Sequence, residues 1–357
     1  MKHRKRMIGP WAVTLLTALM LSACGGDMGI SDTKVVFTSG LGKTDVFRIE
    51  DEICTQSEMM VYLMTARNQY EAVYGAEIWQ VDLQGEKLAD SVKETVLAQA
   101  AQIKSMYLLA KEREIPVTQQ EEQLINSAAA EYYSTLTEAD KEVLGADLKM
   151  FRQLYREYVM ADKVYESIIE GVNPEISDDE ARRVTVQHIW LKNYMEDGNG
   201  GTILLSDTKQ RELYEQAEDL RQQIVDGGLD FAQAASKYGV GEKVTYALGK
   251  GESDRAIEKA VFELETGEVS RVIETDTGYH IFKCLNTLDR EETDLNKVRI
   301  MEQRKNQAFS AVYDDFIKHL DRKLNMKLWE SISLTGYEQS ETVAFFDIYN
   351  KYFKDNE

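Results

Sequence analysis

Apolar residues recur at helical spacing through most of the first half of the chain. Val92, Val96, Ile103, Tyr107 and Ala110 share one face of a segment that predicts a helix over about 86–113. Capping-box patterns open its neighbours. Thr55-Gln56-Ser57-Glu58 starts a helix running to about Tyr74, and Thr118-Gln119-Gln120-Glu121 starts the next one after Glu114-Ile115-Pro116-Val117 breaks the long helix. Further helices are predicted over 138–144 and 148–170, and Ser177-Asp178-Asp179-Glu180 caps a short one after Asn173-Pro174. Ahead of them, Val35-Val36-Phe37 and Val46-Phe47-Arg48-Ile49 flank Ser39-Gly40-Leu41-Gly42, a hairpin pattern.

The pattern changes at Val184. Residues 184–191 read as a buried strand and 197–201 as a turn. Helices follow over 207–226, 231–238 and 256–262, and a closing strand over 279–285. After Thr293 a long helix returns, with Leu295, Val298, Met301, Phe309, Val312, Phe316 and Leu320 along its apolar side. Met326, Leu328, Ile332 and Leu334 alternate as a final strand would. The fold class that results is α+β: a helical domain built from N- and C-terminal segments, with a small α/β domain inserted. The expected boundaries are 34–183 for the first helical part, 184–287 for the insert, 288–334 for the returning helix and strand, and 335–357 for an acidic tail.

Composition adds limits. With 357 residues, 43% hydrophobic and 29% charged, the chain can bury sizeable cores, and neither disorder nor a polytopic membrane protein fits. The formal charge of −20 gives no positive field for nucleic acid or anionic lipid. Four His, three Cys and the absence of C-x-x-C spacing leave little material for a metal site. Eighteen Tyr and eleven Phe supply either core bulk or a groove for apolar chains, and core is the simpler reading.

Lys2, Arg4, Lys5 and Arg6 precede an apolar stretch too short to span a bilayer, the layout of an export signal over 1–23. Leu21-Ser22-Ala23-Cys24 resembles the lipobox of bacterial lipoproteins, which implies lipid attachment at Cys24 and a tether over 24–33. Cleavage removes four cations, taking the charge from −20 to −24. The expected place is the outer face of the bacterial cytoplasmic membrane. Cys54 and Cys284 then remain, read as buried free thiols.

Several short motifs together resemble the parvulin-type (PpiC) peptidyl-prolyl isomerases. They are Gln187-His188-Ile189, Asp230-Phe231-Ala232 with Ala235 and Tyr238, Gly249-Lys250-Gly251, Ala260-Val261-Phe262-Glu263-Leu264, Thr266-Gly267-Glu268-Val269-Ser270, and Thr275-Asp276-Thr277-Gly278-Tyr279-His280-Ile281. The flanking layout is similar to secreted foldases of the PrsA and SurA type. The resemblance implies that His188 and His280 are hydrogen-bonded neighbours on adjacent central strands, with Thr275 fixing a tautomer. It also implies that Leu248, Ser253, Ile257 and Phe262 line the substrate pocket. No cofactor or metal is called for.

The departures are equally specific. The loop from Tyr238 to Leu248 is shorter than the family's, and it has no equivalent of the Asp or Cys that normally faces the histidines. Only backbone or small side chains are expected in that place. Thr245 stands for a pocket Leu, Leu248 for an aromatic, Ser253 for the pocket Met and Ile257 for the pocket Phe, and there is an insertion after Leu191. The bland reading, two satisfied core histidines, is weakened because two of the three histidines after the signal fall on family positions.

The functional expectation is a lipid-anchored foldase that binds unfolded secreted chains with X–Pro bonds and isomerises them, at reduced rate. The alternative is a non-catalytic holdase whose parvulin-like domain has decayed. A homodimer is compatible with either.

Overall fold

The computed structural model describes residues 40–83, 85–145, 147–197, 201–238, 244–342 and 344–354. The signal, Cys24, the tether and Val35–Val36–Phe37 therefore lie outside the described residues. Two units emerge along the chain: residues 1–172 with 305–357, and residues 173–304.

The first unit begins with a hairpin of β1 (Asp45–Ile49) and β2 (Glu52–Thr55), so the hairpin partner of 45–49 among the described residues follows it in sequence. Glu50 supports the turn with a positive φ of 50°. Thr55 then caps α1 (Gln56–Tyr74) as predicted: its side chain accepts from Glu58 N, and Glu58 Oε2 accepts from Thr55 N at 2.8 Å. A short hairpin, β3 (Asp82–Leu83) with β4 (Glu86–Lys87), leads into α2 (Leu88–Glu112). Thr118 opens α3 (Gln119–Thr135) and Thr137 opens α4 (Glu138–Leu144), both with reciprocal caps. Asp147 caps α5 (Leu148–Ile169).

The second unit opens with α6 (Asp178–Ala181), then β5 (Arg183–Lys192). The insertion after Leu191 forms a hairpin of β6 (Tyr194–Glu196) and β7 (Thr202–Leu204). Next come α7 (Asp207–Val225), α8 (Phe231–Tyr238), β8 (Thr245–Gly249), α9 (Arg255–Glu263), β9 (Ile273–Thr275) and β10 (Gly278–Asn286). The four long-range strands form one antiparallel sheet in the order β8-β5-β10-β9. Gly278 starts β10 at φ +135°, and a Cβ there would lie 2.2 Å from the Leu191 carbonyl oxygen. Only glycine allows that approach of backbone to backbone.

The insert is wider than the expected 184–287. Its added ends are tied by charge: Asp178 pairs with Arg290 and Lys297, and Glu180 with Arg304. The first half of α10 (Arg290–Ile317) thus belongs to this unit, and the return to the helical unit starts at Lys305, later than 288. There β11 (Arg322–Leu324) pairs with β1, giving the sheet order β11-β1-β2.

Two expectations for the C-terminal segment are corrected. The stretch 326–334 is not a strand: Asn325 caps α11 (Met326–Ser331), and the strand lies just before it. Nor is 335–357 merely an acidic tail, because α12 (Phe345–Phe353) buries Phe345, Ile348 and Tyr349. Phe345 stacks on Tyr155 at 4.7 Å and meets Tyr132 edge-on at 5.4 Å. Asn68 donates to Thr342 O and Ser340 to Asp140 Oδ1, fastening the approach to this helix. Apolar content outweighed local charge here, since burying one such ring is worth about 1.5–3 kcal/mol. Tyr132, Phe151, Tyr155 and Phe345 are all in the core, so these aromatic residues are packing. Cys54 and Cys284 are free and buried, one in each unit.

Candidate active site

Alternation along the sheet of the second unit assigns each residue a face. Ile189, Leu191, Tyr279 and Ile281 pack under α7 and α8 with Ala217, Leu220 and Phe231. Val184, Val186, His188 and Trp190 take the other face. The register Phe282↔His188 and His280↔Trp190 puts both histidines there, on the two central strands. The lower part of this face is a closed core of Val184, Val186, Leu248, Ile257, Val261, Ile273 and Phe282.

The histidines meet as the motifs imply. His188 Nε2 lies 3.0 Å from His280 Nδ1, and His280 Nε2 lies 2.9 Å from Thr275 Oγ1. Thr277 N donates to Thr275 Oγ1 at 3.2 Å. Below, the His188 ring stacks on Phe282 with centroids 4.1 Å apart, and beside it Trp190 stacks on His280 at 5.5 Å. Two imidazoles are thus set on an aromatic floor.

One expectation about this place is corrected. The position facing His188 is not left to backbone or small side chains, because the Tyr246 hydroxyl lies 3.1 Å from His188 Nδ1. Residues 239–243 of the shortened loop lie outside the described residues, and β8 supplies the group instead. The register explains why: Tyr246 pairs with Val186 and shares its face, whereas Thr245 pairs with Gln187 on the opposite face. The signal was available in the two-residue repeat. Leu248 is a pocket residue by the resemblance, and Tyr246 precedes it by two in the same strand. By the same rule Trp190 follows His188.

Burial sets the protonation of this row. It lowers His188 to about 3, with its neighbour His280 adding to the effect. It lowers His280 to about 4 against an opposing pull from Asp254, whose carboxylate also caps α9. It raises the Tyr246 hydroxyl to about 12. All three groups are neutral across the physiological range, so the row carries no charge of its own.

The pocket residues fall into two groups. Leu248 and Ile257 are buried in the core beneath Phe282. Ser253 precedes α9 with its hydroxyl oxygen buried and unpartnered among the described residues. Phe262 is half-buried, carries the Arg182 guanidinium 4.8 Å above its ring, and accepts from Arg182 at its carbonyl. Among the described residues no group of three or more His, Cys, Asp or Glu is placed to hold a metal ion, and no helix is long and apolar enough to cross a membrane.

Residues 188–286 match the rotamase family model, a PPIC-type PPIase domain. The foldase protein PrsA of Caldanaerobacter subterraneus subsp. tengcongensis is 26% identical over 282 residues, covering 76% of this chain and 83% of that one. PrsA of Staphylococcus aureus (strain Newman) is 28% identical over 178 residues, 47% of this chain and 51% of that one. A crystal structure of the PrsA peptidylprolyl isomerase of Bacillus cereus covers 85% of this chain and 95% of its own at 16% identity, with a TM-score of 0.34. The inserted unit therefore holds a PPIC-type peptidyl-prolyl isomerase domain of the parvulin class. The chain around it is homologous to the PrsA foldase proteins.

Proposed function

We propose that this protein is an extracytoplasmic, lipid-anchored foldase that binds unfolded secreted polypeptides and speeds cis–trans isomerisation of their X–Pro bonds. The observation that carries this reading is the hydrogen-bonded His188–His280–Thr275 row on one sheet face of the rotamase domain. An X–Pro amide must twist over a barrier of about 18–20 kcal/mol, and no covalent intermediate is required. Contacts that favour the twisted amide over either planar form are enough. Each ring nitrogen of the pair is engaged within the row, so the neutral imidazoles act by holding the pocket that makes such contacts, and no proton has to move. Leu248, Ile257 and Phe262 supply apolar support for the proline ring, and Ser253 widens its seat.

Turnover is slow in this reading, because Ser253 and Ile257 replace a Met and a Phe that would grip the ring. The test is exchange spectroscopy on a proline peptide with the soluble chain beginning after Cys24. Acceleration is expected, level from about pH 5 to about pH 9, because the histidines titrate below that window and Tyr246 above it. Protection of an unfolded client with no acceleration at any pH would replace the enzyme by the holdase.

Anchoring is tested separately. A single lipidated Cys24 would be the apolar attachment left after cleavage. The Cys24→Ala protein is expected in the soluble fraction of cells, and a processed Cys24→Ala form that stays with membranes would refute the anchor.

A further inference from the structure

The hydroxyl of Tyr246 belongs to the histidine row, yet none of the family motifs in the sequence accounts for it. We propose that Tyr246 is the positioning residue of the pair: it donates its hydroxyl proton to His188 Nδ1, does the work of the missing Asp or Cys, and fixes the tautomers of both rings.

The row is held at its two ends, by Tyr246 and by Thr275. At one end, the described partner of the Tyr246 hydroxyl is His188 Nδ1 at 3.1 Å. The hydroxyl keeps its proton because burial raises it to about 12. A half-buried phenol with an acceptor in reach uses it, since an unpaired donor there is costly. His188 Nδ1 therefore accepts, and the neutral ring carries its proton on Nε2. At the other end, Thr277 N donates to Thr275 Oγ1, and two groups are in reach to take the hydroxyl proton, Thr277 Oγ1 at 3.1 Å and the Gly278 carbonyl at 3.4 Å. Thr275 can then accept from His280, which places the His280 proton on Nε2 and leaves Nδ1 to accept from His188.

The Tyr246 end thus sets one direction and the Thr275 end accommodates it: Tyr246 O–H to His188, His188 Nε2–H to His280, and His280 Nε2–H to Thr275. No two protons meet and neither ring is charged. The reverse direction would leave the phenol proton without its described acceptor. A row with one direction holds both imidazoles in one tautomer and one plane, as a second hydrogen bond to a histidine does at other sites.

The catalytic half of this inference rests on the isomerase reading, while the structural half does not. The experiment uses the soluble chain beginning after Cys24, with ¹⁵N-labelled histidine. His188 is expected with a pyridine-like Nδ1 and a pyrrole-like Nε2, and a protonated Nδ1 in the unsubstituted chain would overturn the proposal without any variant. Tyr246→Phe keeps the ring and removes the donor. It should mix the His188 tautomers and lower kcat about three- to tenfold, the worth of one hydrogen bond, with KM unchanged. Tyr279→Phe, on the opposite face of the sheet, should leave both readouts alone. If the unsubstituted chain turns over and Tyr246→Phe changes neither tautomer nor kcat, the proposal fails and the isomerase stands. If the unsubstituted chain does not turn over, the isomerase fails, and the nitrogen signature still decides the role of Tyr246.

Discussion

Replacing His280 by alanine is expected to reduce proline-peptide turnover roughly tenfold to a hundredfold, the worth of two lost hydrogen bonds of about 0.5–1.5 kcal/mol each. His280 is the middle of the row. Its ring touches His188 on one side and Thr275 on the other, and Trp190 stacks beside it. Alanine deletes both hydrogen bonds at once and leaves His188 Nε2 and Thr275 Oγ1 without each other's bridge. The ring is also buried, so the rotamase unit should lose about 1–3 kcal/mol of stability. His280→Gln is the useful companion, because an amide can restore one bond without the imidazole plane. It should recover most of the stability and little of the rate. Turnover is measured by exchange spectroscopy and stability by urea unfolding. A folded His280→Ala protein with unchanged turnover would remove the histidine pair from the mechanism.

The largest stability effect is expected in the helical unit, at Lys104. Its ammonium is buried between Glu157, 2.6 Å away, and Glu58, 3.5 Å away. Burial pulls the ammonium down, but the two carboxylates outweigh it and hold it charged. Burial pushes Glu157 up to about 7, with Lys104 pulling the other way. Gln153 also donates to Glu157, and Glu58 is the same residue that closes the cap of α1. Lys104→Met keeps the stem and removes the charge, leaving two buried carboxylates to repel each other. Breaking such a pair from one side costs about 3–5 kcal/mol. Replacing Lys104 and Glu157 together by Met and Leu should cost less than the single change.

The same cluster fixes a pH dependence. Glu157 has its folded pKa raised to about 7 from an ordinary 4.5. Its contribution to stability is therefore complete below the unfolded value and is lost as pH rises through the folded one. Lys104→Met removes the cation that opposes this, so its penalty should grow between about pH 5 and about pH 8. Urea unfolding of the two proteins at both pH values measures it. A penalty that is constant or shrinks with pH would show that the carboxylates are not buried as charges.

What was legible in the sequence was local or compositional. Thr55, Thr118 and Ser177 marked their helix starts because a capping group and its partner lie within three residues of each other. His188, Thr275 and His280 were found because each sits in a motif a few residues long. Leu248 and Ile257 lie outside the motifs and follow only from their places beside them, and their burial with Phe282 depends on how the sheet closes.

The tertiary structure decided whatever depends on partners distant in sequence. Strand β8 is five residues long, and its face is set by pairing with β5 some sixty residues earlier; this turns Tyr246 toward the histidines and Thr245 away. The final strand moved to 322–324 because β1 was there to receive it, while Asn325 offered its side chain to a helix. The C-terminal segment looked acidic by composition, yet Phe345 found a site between Tyr132 and Tyr155 that no window of neighbours could reveal. The sequence alone therefore determined the capped helices of the first half, the motif histidines and the class of chemistry, since these are written in spacings of a few residues. Strand faces, unit boundaries and the partner of His188 came only with the fold, because each is the free-energy balance of contacts between segments far apart along the chain.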